Sequence, residues 1–523
     1  MKLSGMLEIV REIPAINGLQ ALVARQGQHR VQVLEAAKPC LIAALHESAK
    51  GPVIVLCANP EAARELHEQL VHWCPEGALL YRFPERDALP HERLAADPAV
   101  VIERMKTLSA LSGWGGGMAG RAVDIMSRGP LVLTSVVTLM TRMLSPERLR
   151  ALAREMKVGM VAEPDWLIAQ WEAAGYDRED TVEVPGTMGR RGGIVDIFPI
   201  TSSFPVRIEF VGDKVESLRL FDPASQRSLE AVQSVIVTPA AELLFPQGEG
   251  REAFDRFLKG LDLSGCDART REEMGKEIAQ LVEGQRFEGA DFYLAPSNDG
   301  MMLDFLPSNS LLILNEPEEV ISAGEELEVE VEQLWEQQLQ RGSLPRDFPK
   351  PYWPRLEWQK RLEKVHRRLS LRRWLSRDGD EISLPFEPSP RYGGHLPVFL
   401  EGVKKSLKGK GRLVVVTQQA ERLSELLADC DVIAPVTENL QPRGIHGSLS
   451  LVHGSLAEGW MVDKAVTLLT DTELFGITKK PLLVKRRPVR RGGFVSVPSP
   501  DSYVVHIDHG VARFAGVTRR SFG

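Results

Sequence analysis

Cysteine is scarce and scattered: Cys40, Cys57, Cys74, Cys266 and Cys430 form no C-x-x-C pair. That excludes a zinc ribbon or a disulfide framework as the source of stability and fits a reducing compartment. No apolar run approaches the roughly 20 residues of a membrane span, and Met1–Ile16 lacks a charged start, apolar block and cleavage site. A cytoplasmic protein with no membrane partner is expected. Net charge is only −7 with 26% charged residues, so no global basic field declares nucleic acid as the partner, and any DNA contact must be local. Neither G-x-S-x-G nor H-E-x-x-H occurs, which removes the usual hydrolase signals. The phosphate loop G-x-x-x-x-G-K-[ST] is absent as well.

What is present is apolar content of 43% over 523 residues, enough for several cores and roughly three or four domains. Pro52–Ala58 (PVIVLCA) is a continuous apolar run of strand length, and Asn59 and Pro60 then open a helix with Ala62, Ala63, Leu66 and Leu70 inward. The same strand-then-helix pattern recurs at Leu131–Thr134 with Ser135 as cap, at Leu311–Leu314, and at Leu413–Thr417. Buried strands followed by amphipathic helices predict parallel sheets covered on both faces, an α/β multidomain class. Where a phosphate loop is looked for, the chain reads Leu34-Glu35-Ala36-Ala37-Lys38-Pro39-Cys40. It has no glycines there, and Lys38 is expected to be an ordinary surface lysine.

The stretch from Val184 to Phe245 changes period. Gly192 and Gly193 precede an apolar run that Pro199 stops. From Val206 to Val211, Val206, Ile208 and Phe210 fall on one face and Arg207, Glu209 and Val211 on the other. Gly212 and Asp213 then turn the chain into Lys214–Phe221. Read from periodicity alone, this is a half-buried hairpin with charges outward, as on a solvated sheet edge. The preceding residues from Pro146 to Asp180 read as mostly helical, with Trp166, Leu167, Trp171 and Ala174 as core.

RRGGIVDIFP followed by PVRIEFVGDKVESLRLFDPASQRS resembles the UvrB-homology module. Without a phosphate loop ahead of it, it is similar to the form found in transcription-repair-coupling factors. Tyr81–Leu111, with Arg104 and Leu108 in an Arg-x-x-x-Leu helix, adds to the likeness, although the pattern also fits a loop followed by a core-packing helix. Asp501–Gly516 (DSYVVHIDHGVARFAG) resembles the start of a CarD-like RNA-polymerase-interacting barrel. The likeness implies a UvrB-like parallel α/β domain with a degenerate nucleotide site at 1–145 and 246–385. It also implies an inserted mixed α+β UvrA-binding module at 146–245, a small α/β domain at 393–477, a basic linker at 478–497, and the beginning of a small β-barrel at 498–523.

By motif, the UvrA contacts implied are Arg191, Arg207, Phe210 and Val211, where the family often has a second aromatic in place of Val211. Arginine suits this role because its planar fork pairs bidentately with carboxylates. The RNA polymerase β subunit contacts implied are Val505, Ile507, His509, Gly510 and Phe514, acting through an edge strand. In the family a motor using ATP and Mg²⁺ follows and moves on DNA. This chain is expected to hold no cofactor, no metal and no ATPase of its own, and to look truncated at Gly523. The rival readings are a UvrB-type helicase subunit and a CarD-like transcription regulator. Lys364–Arg377, with Trp374, offers phosphate contacts or, as the preferred reading, a solvated helix face paired with the acidic 324–340 run. Pro385–Arg391 reads as a linker, Gly113–Gly120 as a flexible insertion.

Overall fold

In the computed structural model the described residues are 1–86, 96–114, 128–246, 248–285, 287, 289–294, 296, 298–374, 381–408, 411–440, 448–463 and 466–476, with the backbone of 503–506 and 510–513. They divide into one unit, Met1–Pro481, and a second, Leu482–Gly523.

The apolar runs Val53–Cys57, Leu131–Ser135 and Leu311–Asn315 form neighbouring strands of an all-parallel sheet. The strand order is 382–383, 27–32, 367–372, 311–315, 53–57, 131–135, 80–82. Segments from 27–135 and from 311–383 therefore interleave in one sheet. The helix Pro60–Trp73 begins where expected, with the Asn59 side chain accepting a hydrogen bond from the Ala62 amide, and it buries Ala63, Leu66, Leu70 and Trp73. Ser135 caps the next short helix in the same way.

Two strands of this sheet run against the expectation. Arg367–Arg372 is a strand between Gly27–Gln32 and Leu311–Asn315, not a solvated helix face. Its Leu369 and Leu371 are fully buried; Arg368, Ser370 and Arg372 alternate with them, Arg372 pairing with Glu318 and Glu381, while Arg367 at the strand start donates to the Val23 and Asn309 carbonyls. Gly27–Gln32 carries one buried residue, Val31, so its pairing comes from its two neighbours and not from its own hydrophobicity.

The chain leaves this sheet after 145 and builds a second one. Its strands are Asp177–Arg178, Thr187–Arg191, Ile194–Ile197, Val206–Val211, Lys214–Phe221 and Ser228–Val232, antiparallel except for the first pair. The run 146–180 is less helical than expected, because Arg154–Lys157 separates two helices and pairs antiparallel with Ser234–Val237. Leu167, Trp171 and Ala174 are core, but Trp166 is not: it lies half out in solvent with the Arg154 guanidinium 5.0 Å over its ring.

A third, mixed sheet has the order 386–388, 460–462, 466–470, 412–417, 449–453, 436–437. The expected linker supplies its edge strand, Phe386–Pro388, because Phe386 packs edge-on against Trp460 at 5.2 Å. Trp460 also stacks on Trp73 at 5.8 Å, which joins this sheet to the first within one apolar core. In the second unit Tyr503–His506 and Gly510–Arg513 pair as an antiparallel hairpin. No helix among the described residues is long and apolar enough to cross a membrane.

Candidate functional site

The central sheet packs one face into the core; its other face is open near the Gly192 and Gly212 turns but is covered beyond them, where Asp196 and the small cluster Val182, Phe198 and Phe221 are buried and the Arg207 side chain is only 20% exposed. Val195, Ile208 and Leu218 are paired in a row and fully buried or nearly so, as are Ile197 and Val206 beside them. Their alternates make the outward face. One row runs Gly189, Asp196, Arg207, Arg219, Ala231, and the next runs Arg191, Ile194, Glu209, Ser217. Directly paired residues point to the same side of a sheet, so Arg191 and Arg207 share this face in adjacent rows. The turns that close the hairpins, Gly192-Gly193 and Gly212-Asp213, lie at one end of the sheet. Gly192 has φ +61° and Gly212 φ +62°, values that favour glycine.

Arg207 is held by its own sheet. Its Nε and Nη2 donate to the two carboxylate oxygens of Asp196, both at 2.8 Å, and its guanidinium lies 4.7 Å from the Phe221 ring centre. The bond to Asp196 is also what raises the Arg207 pKa. Asp196 is therefore a positioning residue, and it was not apparent from the motif. Arg191 is exposed at the turn, its Nη2 donating to the Asp180 carbonyl at 2.5 Å and to Thr181 Oγ1 at 3.2 Å. Val211 is 67% exposed on the same face. Phe210 is 9% exposed and points into the core beside Val215 and Ile208. Grouping it with the surface contacts is corrected by strand alternation, which puts it opposite Arg207. Arg219 stands directly across from Arg207 and is exposed. The register counted from the Gly212-Asp213 turn would set Leu218 opposite Arg207; the bulge between Val215 and Ser217 shifts the strand by one residue and brings Arg219 there, which no sequence signal announces.

The supposed surface lysine, Lys38, is 1% exposed. It sits at the start of the helix Lys38–Ser48, and its Nζ reaches Asn315 Oδ1 at 2.8 Å, Glu316 Oε1 at 2.6 Å and Glu35 Oε2 at 2.7 Å. The Arg373 amide donates to the same Glu316 oxygen at 3.0 Å, and Arg373 Nε lies 3.0 Å from Glu35. Asn315 ends the central strand Leu311–Asn315 and Glu316 follows directly, adopting a left-handed φ of +55° there. The expectation missed this because two of the three partners, Asn315 and Glu316, lie some 280 residues away in sequence.

A second buried ion cluster ties the central module to the first sheet. Arg104 is fully buried and donates from Nε and Nη2 to Glu242 at 2.7 Å each, while Arg104 Nη1 donates to the Pro84 carbonyl and Arg86 approaches Glu242 at 3.3 Å. Burial alone pushes the Glu242 carboxyl up, but Arg104 and Arg86 outweigh it and hold the group at about 2. In the second unit Val505 pairs with Val511 and Gly510 with His506. Ile507, His509 and Phe514 lie outside the described residues. No group of three or more His, Cys, Asp or Glu suited to a metal occurs among the described residues.

Residues 155–243 match the UvrB interaction domain. The chain is 26% identical over 500 residues to the transcription-repair-coupling factor of Bacillus subtilis, which covers 92% of this chain and 41% of that protein. It is 28% identical to that of Myxococcus xanthus, covering 95% and 43%, and 25% identical to that of Escherichia coli, covering 96% and 43%. The chain is a relative of the transcription-repair-coupling factors. It spans less than half the length of the coupling factors it matches. Arg191, Arg207, Val211 and Arg219 all fall inside the matched domain, as does Glu242. Lys38 falls outside it, in the part that only the coupling-factor similarity covers.

Proposed function

We propose that this chain recruits UvrA through the outward face of its central module, as part of a coupling factor acting in transcription-coupled nucleotide excision repair. The observation that carries this is the placement of Arg191, Arg207 and Val211 on one face of the central sheet within the UvrB interaction domain. Arg219 adds a third cation to that face, and Asp196 presents the Arg207 side chain in a fixed pose. The Nε edge of Arg207 is taken by Asp196, so what it offers a carboxylate of the partner is the remaining Nη hydrogens of a side chain already fixed in place.

In this reading the second unit contributes to contact with the RNA polymerase β subunit, and DNA is engaged mainly by the motor of the whole protein. ATP and Mg²⁺ serve that motor, not this chain. The surroundings of Lys38 do not fit a nucleotide. They lack the glycine loop whose amides cradle phosphate, and the lysine is already bound by Glu35, Asn315 and Glu316.

The test is a titration of UvrA against this chain and an Arg191→Ala, Arg207→Ala double variant with an unchanged melting profile. Loss of two interface arginines is expected to weaken binding by roughly 100-fold or more. Equal affinity of variant and wild type would remove the face from the account.

A further inference from the structure

The open face does not stop at the Val206–Val211 strand and its partner. The segment following Arg154–Lys157 lies along the hairpin tip and bonds to it three times: Gly159 N to Val215 O, Val215 N to Met160 O, and Ala162 N to Asp213 O, each 2.8 Å. Val161 forms an antiparallel bridge with Lys214, and Lys214 is paired on its other side with Val211. The three residues Val211, Lys214 and Val161 are thus opposed in a single row, and opposed residues point to the same side. That side is the one carrying Arg191 and Arg207.

Val161 and Val211 are 74% and 67% exposed, the two most exposed large apolar side chains of the module. Between them stands the exposed Lys214, whose methylene stem can lie along apolar neighbours while its ammonium stays in water. The row therefore presents a continuous apolar strip with a cation at its middle. Strand propensity explains the choice of valine within a ladder, but Val161 belongs to an isolated bridge outside any strand.

We infer that Val161 is part of the partner-binding face, and that Val161 and Val211 flanking Lys214 together form its apolar anchor. The inference rests on the proposed recruitment of UvrA. The partner surface it fits is an apolar side chain rimmed by carboxylates, the carboxylates meeting Arg191 and Lys214. Apolar anchors at the centre of an interface, ringed by polar contacts, carry a large share of binding energy. Here the anchor comes from two chain segments that are about 50 residues apart in sequence and joined by backbone hydrogen bonds.

The experiment measures UvrA affinity for the full chain and for Val161→Asp, Val161→Phe, Arg191→Ala with Arg207→Ala, and Val71→Asp. Val71 is an exposed valine outside the module and serves as the control. Val161→Asp is expected to weaken binding about tenfold or more, Val161→Phe to preserve or tighten it, and Val71→Asp to leave it unchanged. If the arginine variant loses binding while Val161→Asp stays within twofold of wild type, Val161 lies outside the interface and the inference falls, with the recruitment reading intact. If the arginine variant also binds like wild type, the recruitment reading falls and takes the inference with it. An equal loss in Val71→Asp and Val161→Asp overturns the inference too, since the effect is then not local to the strip.

Discussion

Glu242→Ala is expected to lower the stability of the first unit by about 3–5 kcal/mol. The variant leaves Arg104, which is fully buried, and Arg86 without the carboxylate that both approach, and an uncompensated buried charge is far more costly than an exchanged pair. Replacing Arg104, Arg86 and Glu242 together by apolar residues of similar volume is expected to recover most of the loss. Chemical denaturation followed by hydrogen exchange near 235–243 reads both effects. An unchanged denaturation midpoint for Glu242→Ala would show that the cluster contributes nothing net.

The same carboxyl sets a pH dependence. Its folded value of about 2 lies below its ordinary value of 4.5, so its contribution is present in full above 4.5 and is lost as pH falls toward 2. About 3 kcal/mol is at stake. The stability difference between wild type and Glu242→Gln is expected to shrink as the solution is acidified from pH 6 to pH 3, and a flat difference over that range would contradict the assignment.

Lys38→Met carries the second large effect, a loss of about 3 kcal/mol. It removes the ammonium at which Glu35, Asn315 and Glu316 converge and leaves Glu316 buried, with Arg373 as its remaining cation. The same arrangement predicts the response to nucleotide. A ligand present at 1,000 times its Kd adds about 4 kcal/mol to the stability of the form that binds it. Millimolar ATP with Mg²⁺ is expected to leave the wild-type melting midpoint where it is. A rise of several degrees would mean that the Lys38 cluster opens to admit phosphate.

Where local pattern and tertiary environment agree, the fold is legible in the residues. Val53–Cys57 with its Asn59 cap, Leu131–Ser135, and the Val206–Phe221 hairpin with its Gly212 turn, apart from the bulge between Val215 and Ser217, follow from period and turn chemistry alone. The outward placement of Arg207 and Val211 follows from the same alternation, which also decides against Phe210. What was not legible depends on distant partners. Arg367–Arg372 reads as a basic surface because four of its six residues are arginine or serine outside the two leucines, and only the neighbouring strands make it central. Lys38 reads as solvent-facing until Glu316 is brought beside it. Arg104 reads as a position in a helix pattern until Glu242 explains its burial. Charged residues are the least legible from sequence because burial of a charge is decided by its counter-ion, and pattern reading has no access to the counter-ion.

The interleaved parallel sheet has a consequence for synthesis on the ribosome. Gly27–Gln32 emerges early, but the strands on both its sides, Arg367–Arg372 and Ile382–Ser383, are made roughly 340 residues later. At about 5–20 residues per second that is a wait of roughly 20–70 seconds. The central module, whose six strands and the Arg154–Lys157 pairing all fall between 154 and 237, has every strand it needs long before then. The inserted module can thus finish folding on a nascent chain whose host sheet is still open, with the amides and carbonyls of Gly27–Gln32 exposed as an unpaired edge. Such an edge is a template for the wrong strand, so this stretch is where a chaperone has the most to protect during synthesis.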